Sequence, residues 1–338
     1  MSEVVAPKLS GRSLTRDADL TKDEFLALVT FARHLRDEKR AGAERPRLTG
    51  KNVALIFEKT STRTRAAFEI GAYDQGAHAS YLGPGETQLG IKESIKDTAR
   101  VLGRFYDGIE FRGFAQCDVE TLRDWAGVPV WNGLTDQWHP TQLMADIMTI
   151  IEHTTKPLEE VVVCYVGDAR NNTANSWLVT GSRMGLDLRI AAPSSLQPSS
   201  EVRANALAFA RDSGARLTIS DDVAASVRHA DFLYTDVWVS MGEPTEVWKE
   251  RIEILLGFQV NASMLKKTEN DAVKVMHCLP ALHDSHTDLG KKLAATYHLD
   301  ALEITDEVFE SRASIVFDQA ENRLHTIKAL MVATLQGA

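Results

Sequence analysis

Short, wholly apolar runs alternate along this chain with longer segments whose apolar residues recur every three or four positions. The runs have the pattern of strands buried on both faces of a sheet, the segments that of helices lying against it. The clearest run is 53–57; Ser61 follows as a helix cap, with Thr62 and Thr64 in the first turn and Ala66, Ala67 and Ile70 continuing the helix. Upstream, Thr21-Lys22-Asp23-Glu24 reads as a capping box, and Phe25, Leu26, Val29, Phe31, Ala32 and Leu35 keep helical spacing to about Lys39. Residues 42–50 read as a linker. Further strands are predicted at 78–82, 108–112 and 128–131, with helices at 94–106 and 122–126. The glycine-rich stretch 83–90 reads as a mobile loop that reaches over a ligand or a neighbouring subunit. Pro140 opens the next helix, where its missing N–H costs nothing, and Leu143, Ile147, Ile150 and Ile151 give it an apolar face out to His153.

Lys156-Pro157 reads as a boundary, after which a second strand–helix series begins. Its strands are predicted at 161–166, 186–191, 216–219, 232–235 and 273–276, its helices at 173–184, 202–210 and 223–229. A last helical pattern covers 314–335, with Phe317, Ala320, Leu324, Ile327, Leu330 and Met331 on its apolar side, and has the length to cross back onto the first half. Repeated strand–helix order implies parallel sheets with helices on both faces. The expected fold class is therefore α/β, two similar doubly wound domains: 1–153 joined by the C-terminal helix at about 320–338, and 154–319. Such sheets bind ligands beyond the carboxyl ends of their strands, and two of them imply an active site in an interdomain cleft.

Composition narrows the chemistry. The 338 residues are 44% hydrophobic and 25% charged, enough for two ordinary globular domains. No apolar run approaches the roughly 20 residues of a membrane span, and the opening residues lack a signal-peptide pattern. Cys117, Cys164 and Cys278 are odd in number and widely spaced, so no disulfide framework is implied and a cytoplasmic setting is expected. The net charge of −9 argues against a broad nucleic-acid surface, which leaves local clusters of basic residues as the informative ones.

The foremost cluster is Ser61-Thr62-Arg63-Thr64-Arg65. A helix start offers unpaired N–H groups and partial positive charge, and so suits an anion. Cations are disfavoured in a first turn; an anionic ligand would remove that conflict, so phosphate binding is expected in preference to a plain capped helix. Cys278, with His277, His283 and His286 nearby, raises zinc or a thiol nucleophile. The spacing fits no closed zinc site, and neighbours in an extended segment point to opposite sides. The turn Gly167-Asp168-Ala169-Arg170-Asn171-Asn172 holds one glycine, short of a dinucleotide fingerprint.

Four stretches stand together: Phe-Glu-Lys-Thr-Ser-Thr-Arg-Thr-Arg (57–65), His-Pro-Thr-Gln (139–142), Asp-Val-Trp-Val-Ser-Met-Gly-Glu (236–243) and His-Cys-Leu-Pro (277–280). In this order and spacing the chain resembles the ornithine carbamoyltransferases over about 14–335. The resemblance implies carbamoyl phosphate on Ser61, Thr62, Arg63 and Thr64, with Arg112 reaching a phosphate oxygen and the carbonyl. It implies that His139, Pro140, Thr141 and Gln142 hold the carbamoyl group, that Arg323 is a further cation at the carbonyl, and that Gln88 enters an adjacent subunit's pocket. For L-ornithine it implies Asp236 at the α-ammonium, with Asn172 and the backbone of Ser240-Met241 at the α-carboxylate. The Asn171-Asn172 register stays open by one residue. Cys278 would lie beside the side-chain amine, and the carbonyls around Leu279 would bind the carbamoyl NH2. Arg112, His139, Cys278 and Arg323 form the implied catalytic set. The implied enzyme uses no metal or cofactor, meets small-molecule substrates but no nucleic acid or membrane, and assembles as a trimer or an assembly of trimers. A related amine, putrescine or a modified ornithine, is the alternative acceptor.

Overall fold

Helix α1 (Lys22–Arg40) starts at the capping box read from the sequence: the Thr21 hydroxyl accepts from Glu24 N, and the Glu24 carboxylate accepts from Thr21 N. There follow β1 (Asn52–Phe57), α2 (Thr62–Asp74), β2 (His78–Leu82), α3 (Ile95–Phe105), β3 (Gly108–Arg112), α4 (Gln116–Ala126), β4 (Val130–Leu134) and α5 (Pro140–His153). Next come β5 (Val162–Val166), α6 (Asn172–Met184), β6 (Asp187–Ala191), α7 (Ser200–Ser213), β7 (Arg216–Ser220), α8 (Val223–Val227) and β8 (Phe232–Thr235). The chain ends with α9 (Val247–Leu255), α10 (Ala262–Lys267), β9 (Lys274–His277), α11 (Asp288–Tyr297), α12 (Asp306–Phe309) and α13 (Val316–Leu335). This computed structural model describes residues 4–87, 89–239 and 246–336. They fall into two compact units, one of Met1–Glu152 with Ala320–Ala338, the other of His153–Gln319.

Each unit holds one parallel sheet, in the order β2-β1-β3-β4 and β7-β6-β5-β8-β9 respectively. In each, the chain builds outward on one side of its first strand and then crosses to the other. The carboxyl ends of β1 and β3, and those of β5 and β8, therefore flank a switch point, where open α/β sheets bind ligands. Both faces of β1 are covered, which is why its run is apolar throughout. Ala54 and Ile56 pack with Ile109, Phe111, Val119 and Leu122 on one face, and Phe57, Phe68 and Trp131 are fully buried as well.

The structure departs from the sequence pattern at several places. The strand expected at 128–131 is β4, displaced toward the C-terminus because its ladder pairs Ile109 with Val130 and runs on to Arg112 and Leu134. The helix expected over 223–229 stops at Val227. Phe317, read as part of an apolar face, is 64% exposed. Helices α9 to α12 carried no readable period, since they span only 4 to 10 residues each.

Helices α3 and α4 approach closely at Gly103, where a Cβ would lie 1.8 Å from the Ala126 carbonyl oxygen. Gly103→Ala is expected to destabilise the chain by about 1–3 kcal/mol and to lower its urea midpoint. An unchanged midpoint would show that the two helices can part without cost.

Candidate active site

Helix α2 starts at Ser61, whose extended backbone turns the chain and whose hydroxyl accepts from Thr64 N at 3.3 Å. The first N–H groups of α2, and the positive end of its dipole, thus sit at the end of β1. Glu58 N bonds to Arg112 O at 2.8 Å, which fixes the β1–α2 turn against the end of β3. The Thr64 hydroxyl is the junction of the site. It accepts from Arg323 Nη2 at 2.8 Å and from Arg112 Nη1 at 3.4 Å. Arg323 also donates from Nη1 to Gln142 Oε1 at 2.9 Å, and Gln142 Nε2 donates to Asp146 Oδ1 at 2.7 Å. Arg112, His139, Gln142 and Arg323 are each 7% exposed or less. Residues from the ends of β1 and β3, the start of α5 and the middle of α13 are brought together here, all within the first unit.

His139 directly precedes α5, outside the helix, and is buried. Burial first, then the charges of Arg323, Arg112 and Arg63, hold its imidazole well below the usual histidine range. The ring is therefore neutral at physiological pH and can donate one N–H. Pro140 and Thr141 are buried in the first turn of α5, and the Thr141 hydroxyl meets no protein partner among the described residues. Arg63 is half-buried and Thr62 exposed in the first turn of α2. Arg65 corrects the sequence reading of two cations at the helix start: it pairs with Glu69 at 2.9 Å and stacks on the Tyr81 ring at 3.7 Å.

Glu110 was missed, although a carboxyl between the apolar Ile109 and Phe111 of the 108–112 strand was visible in the sequence. It is fully buried two residues before Arg112, and neither carboxyl oxygen meets a hydrogen-bond partner among the described residues. Gly133 makes room for it, since a Cβ there would lie 1.9 Å from Glu110 Oε1. Burial pushes this carboxyl well above the ordinary range, against the opposing pull of Arg112 and Arg323.

In the second unit, β8 leads directly to Asp236, and β9 to His277 and Cys278. The Cys278 thiol donates to Asp236 Oδ1 at 2.9 Å, and the same oxygen accepts from Val237 N at 2.8 Å. The expectation that His277 and Cys278 point far apart does not hold, for ligand atoms of Asp236, His277 and Cys278 lie within 4.8 Å of one another. Leu279, with φ of +54°, turns the chain just after Cys278. Both ring nitrogens of His277 are nonetheless engaged: Nδ1 accepts from Leu279 N at 2.9 Å, which puts the proton on Nε2, facing Glu303 Oε1 at 3.3 Å. Glu303 also accepts from Leu282 N at 2.6 Å, so this buried pair, unsignalled in the sequence, holds the 278–282 segment. Asn171 caps α6 through Ala174 N at 2.8 Å and donates to the Tyr165 hydroxyl at 2.9 Å. Asn172 is the first residue of α6. Gln88, Ser240 and Met241 lie outside the described residues.

Glu110 generates a pH prediction. A carboxyl whose folded pKa is raised stabilises the fold fully below its unfolded value and loses that contribution as pH rises through the folded value. Glu110→Gln should therefore gain melting temperature over the unaltered chain between about pH 5 and about pH 9. A constant or shrinking difference would show that Glu110 is ionised in the fold.

Two family models cover nearly the whole chain. Residues 12–152 match the carbamoyl-P binding domain of aspartate/ornithine carbamoyltransferase, and residues 159–334 match its Asp/Orn binding domain. An ornithine carbamoyltransferase of Haemophilus influenzae (strain PittGG) is 54% identical over 98% of this chain and 100% of its own length. The catabolic ornithine carbamoyltransferase of Haemophilus influenzae strain Rd is 53% identical over the same shares. Among solved structures, ornithine carbamoyltransferase from Pyrococcus furiosus superposes with a TM-score of 0.88 at 39% identity, over 99% of each chain. With both family models matched in order and such identity along its whole length, the chain belongs to the aspartate/ornithine carbamoyltransferase family.

Proposed function

We propose that the first unit holds carbamoyl phosphate and the second L-ornithine, each at the carboxyl ends of its strands. The reaction is transfer of the carbamoyl group to the δ-amine of L-ornithine, giving L-citrulline and phosphate. The observation that carries the residue assignment is the gathering of Arg63, Arg112 and Arg323 about a neutral His139 at the start of α2.

The phosphate rests on the first turn of α2, with Ser61, Thr62, Arg63 and Thr64 as its donors. Arg112, His139 and Arg323 face the carbonyl oxygen, while Pro140, Thr141 and Gln142 hold the carbamoyl group. Attack on the carbonyl builds charge on its oxygen, and each fixed donor aimed there contributes about 3–4 kcal/mol. A neutral imidazole suits that role, because it donates without bringing another full charge into a site already rich in arginine. The Asp236 carboxylate takes the α-ammonium of ornithine. Asn172 and the backbone of Ser240-Met241 take the α-carboxylate, and the capping role of Asn171 supports its neighbour. Cys278, on Asp236, sits beside the δ-amine, and the carbonyls around Leu279 bind the carbamoyl NH2.

The amine attacks only without its proton, since an ammonium has no lone pair. Phosphate then departs into the arginine cradle. Exposed Ile70, Tyr73 and Phe105 on the first unit support a homo-oligomer, a trimer or an assembly of trimers, into which Gln88 would reach from the adjacent subunit. No helix among the described residues is long and apolar enough to cross a membrane, and a cytoplasmic setting is proposed.

Arg63→Gly is expected to lower kcat for citrulline formation by about 10²–10³-fold; near-normal turnover would remove Arg63 from the phosphate site. The pH profile is a second check. A δ-ammonium resembling lysine, near ~10.4, loses about tenfold in reactive fraction for each pH unit below that value. kcat/KM for ornithine should accordingly climb with a slope of about one from about pH 6 to about pH 8. An added inflection near an ordinary histidine value of about 6.5 would contradict a neutral His139.

A further inference from the structure

Building on the reading of Asp236 as the ornithine anchor, we infer that Arg251 is a positioning residue for ornithine binding. From α9 it ties the turn after β5 to the chain that leaves β8, and thereby aims Asp236. Its guanidinium, 13% exposed, donates from Nη1 both to Asp168 Oδ2 and to the Trp238 carbonyl, the latter at 3.0 Å. Asp168 is buried in the turn after β5, and Trp238 is buried two residues beyond Asp236. The Trp238 indole lies over the same turn, 3.9 Å from where a Cβ on Gly167 would stand. One guanidinium thus spans the two strand ends that flank the switch point of the second sheet. Asp236, held between them, has a carboxylate fixed by Val237 N and the Cys278 thiol.

Charge-assisted hydrogen bonds inside a buried site are short and directional, so this grip restricts the peptide following Asp236 far more than apolar packing would. It is also separable from the stability of the unit. Arg170 donates to Asp168 through its backbone N at 3.0 Å and through Nε and Nη2 at 3.1 Å. Loss of Arg251 therefore leaves the Asp168 carboxylate compensated. What is lost is the link to Trp238. A purely structural arginine would lower the melting temperature and leave substrate constants alone.

The test is steady-state kinetics of the full-length Arg251→Met and Arg251→Lys variants in both substrates, with thermal melts. L-Norvaline, which is ornithine without its δ-amine, serves as competitive probe of the α-ammonium and α-carboxylate contacts. For Arg251→Met, KM for ornithine and the inhibition constant of L-norvaline should rise together by about tenfold or more, with KM for carbamoyl phosphate within about twofold. Arg251→Lys, which keeps the charge but not the forked donor, should fall between. Asp168→Asn should act in the same direction, and the double variant should cost no more than its worse parent, as expected of residues that act as one unit. Unchanged ornithine and L-norvaline constants, or an equal rise for carbamoyl phosphate, would overturn the inference. Should Arg251→Met fail to fold, Arg251→Lys is judged by the same split. Absence of citrulline formation by the unaltered chain would instead sink the functional reading. Normal turnover with normal ornithine binding in the variants would sink this inference alone.

Discussion

Positive charge crowded at a helix start is the constraint on which the first unit depends. The α2 dipole already places partial positive charge at Ser61, and Arg63, Arg112 and Arg323 add to it around His139. Like charges held this close in a buried setting repel unless an anion joins them. The surrounding contacts keep the cluster assembled: Thr64 receives two of the guanidinium groups, and Gln142, itself braced by Asp146, receives Arg323 again. Glu110 sits nearby yet is kept from ionising by burial, so it does not cancel the positive charge gathered there.

The second unit solves a different electrostatic problem with the same topology. Its switch point carries carboxylates, Asp236 after β8 and Asp168 after β5, which suit an amino acid with cationic groups. Asp168 is absorbed by Arg170 and Arg251, whereas Asp236 is held by a backbone N–H and a thiol. On the proposed function, one sheet orients a leaving group and the other a nucleophile. Neither task needs a covalent intermediate if the amine reaches the carbonyl directly. Proton loss from that amine and positioning of the two substrates then carry the rate.

Much of this was legible in the sequence because the informative signals were local. β1, α2 and the Ser61 cap follow from an apolar run meeting a capping residue, and the start of α5 from Pro140. Arg65 was misjudged because adjacency in sequence does not tell which first-turn side chain faces the strand end; Glu69 and Tyr81 draw it away. Arg323 had no local signal at all. Within a helical pattern it reads as a surface arginine, and only the resemblance to a family singled it out before the fold brought α13 to Thr64. Contacts such as His277 with Glu303, or Arg251 with Asp168, join residues 26 and 83 positions apart, beyond any periodicity. Helices α9 to α12 were lost for the opposite reason, being too short to repeat.

On the proposed function, phosphate and amine are held for one another rather than in separate, independent sites. This claim is tested most directly by calorimetry with a single compound in which a phosphonate is joined through a methylene carbonyl to the δ-nitrogen of L-ornithine. Such a molecule should bind far more tightly than phosphate or L-ornithine alone, because one binding event engages both half-sites. Affinity no better than that of its stronger half would contradict the claim.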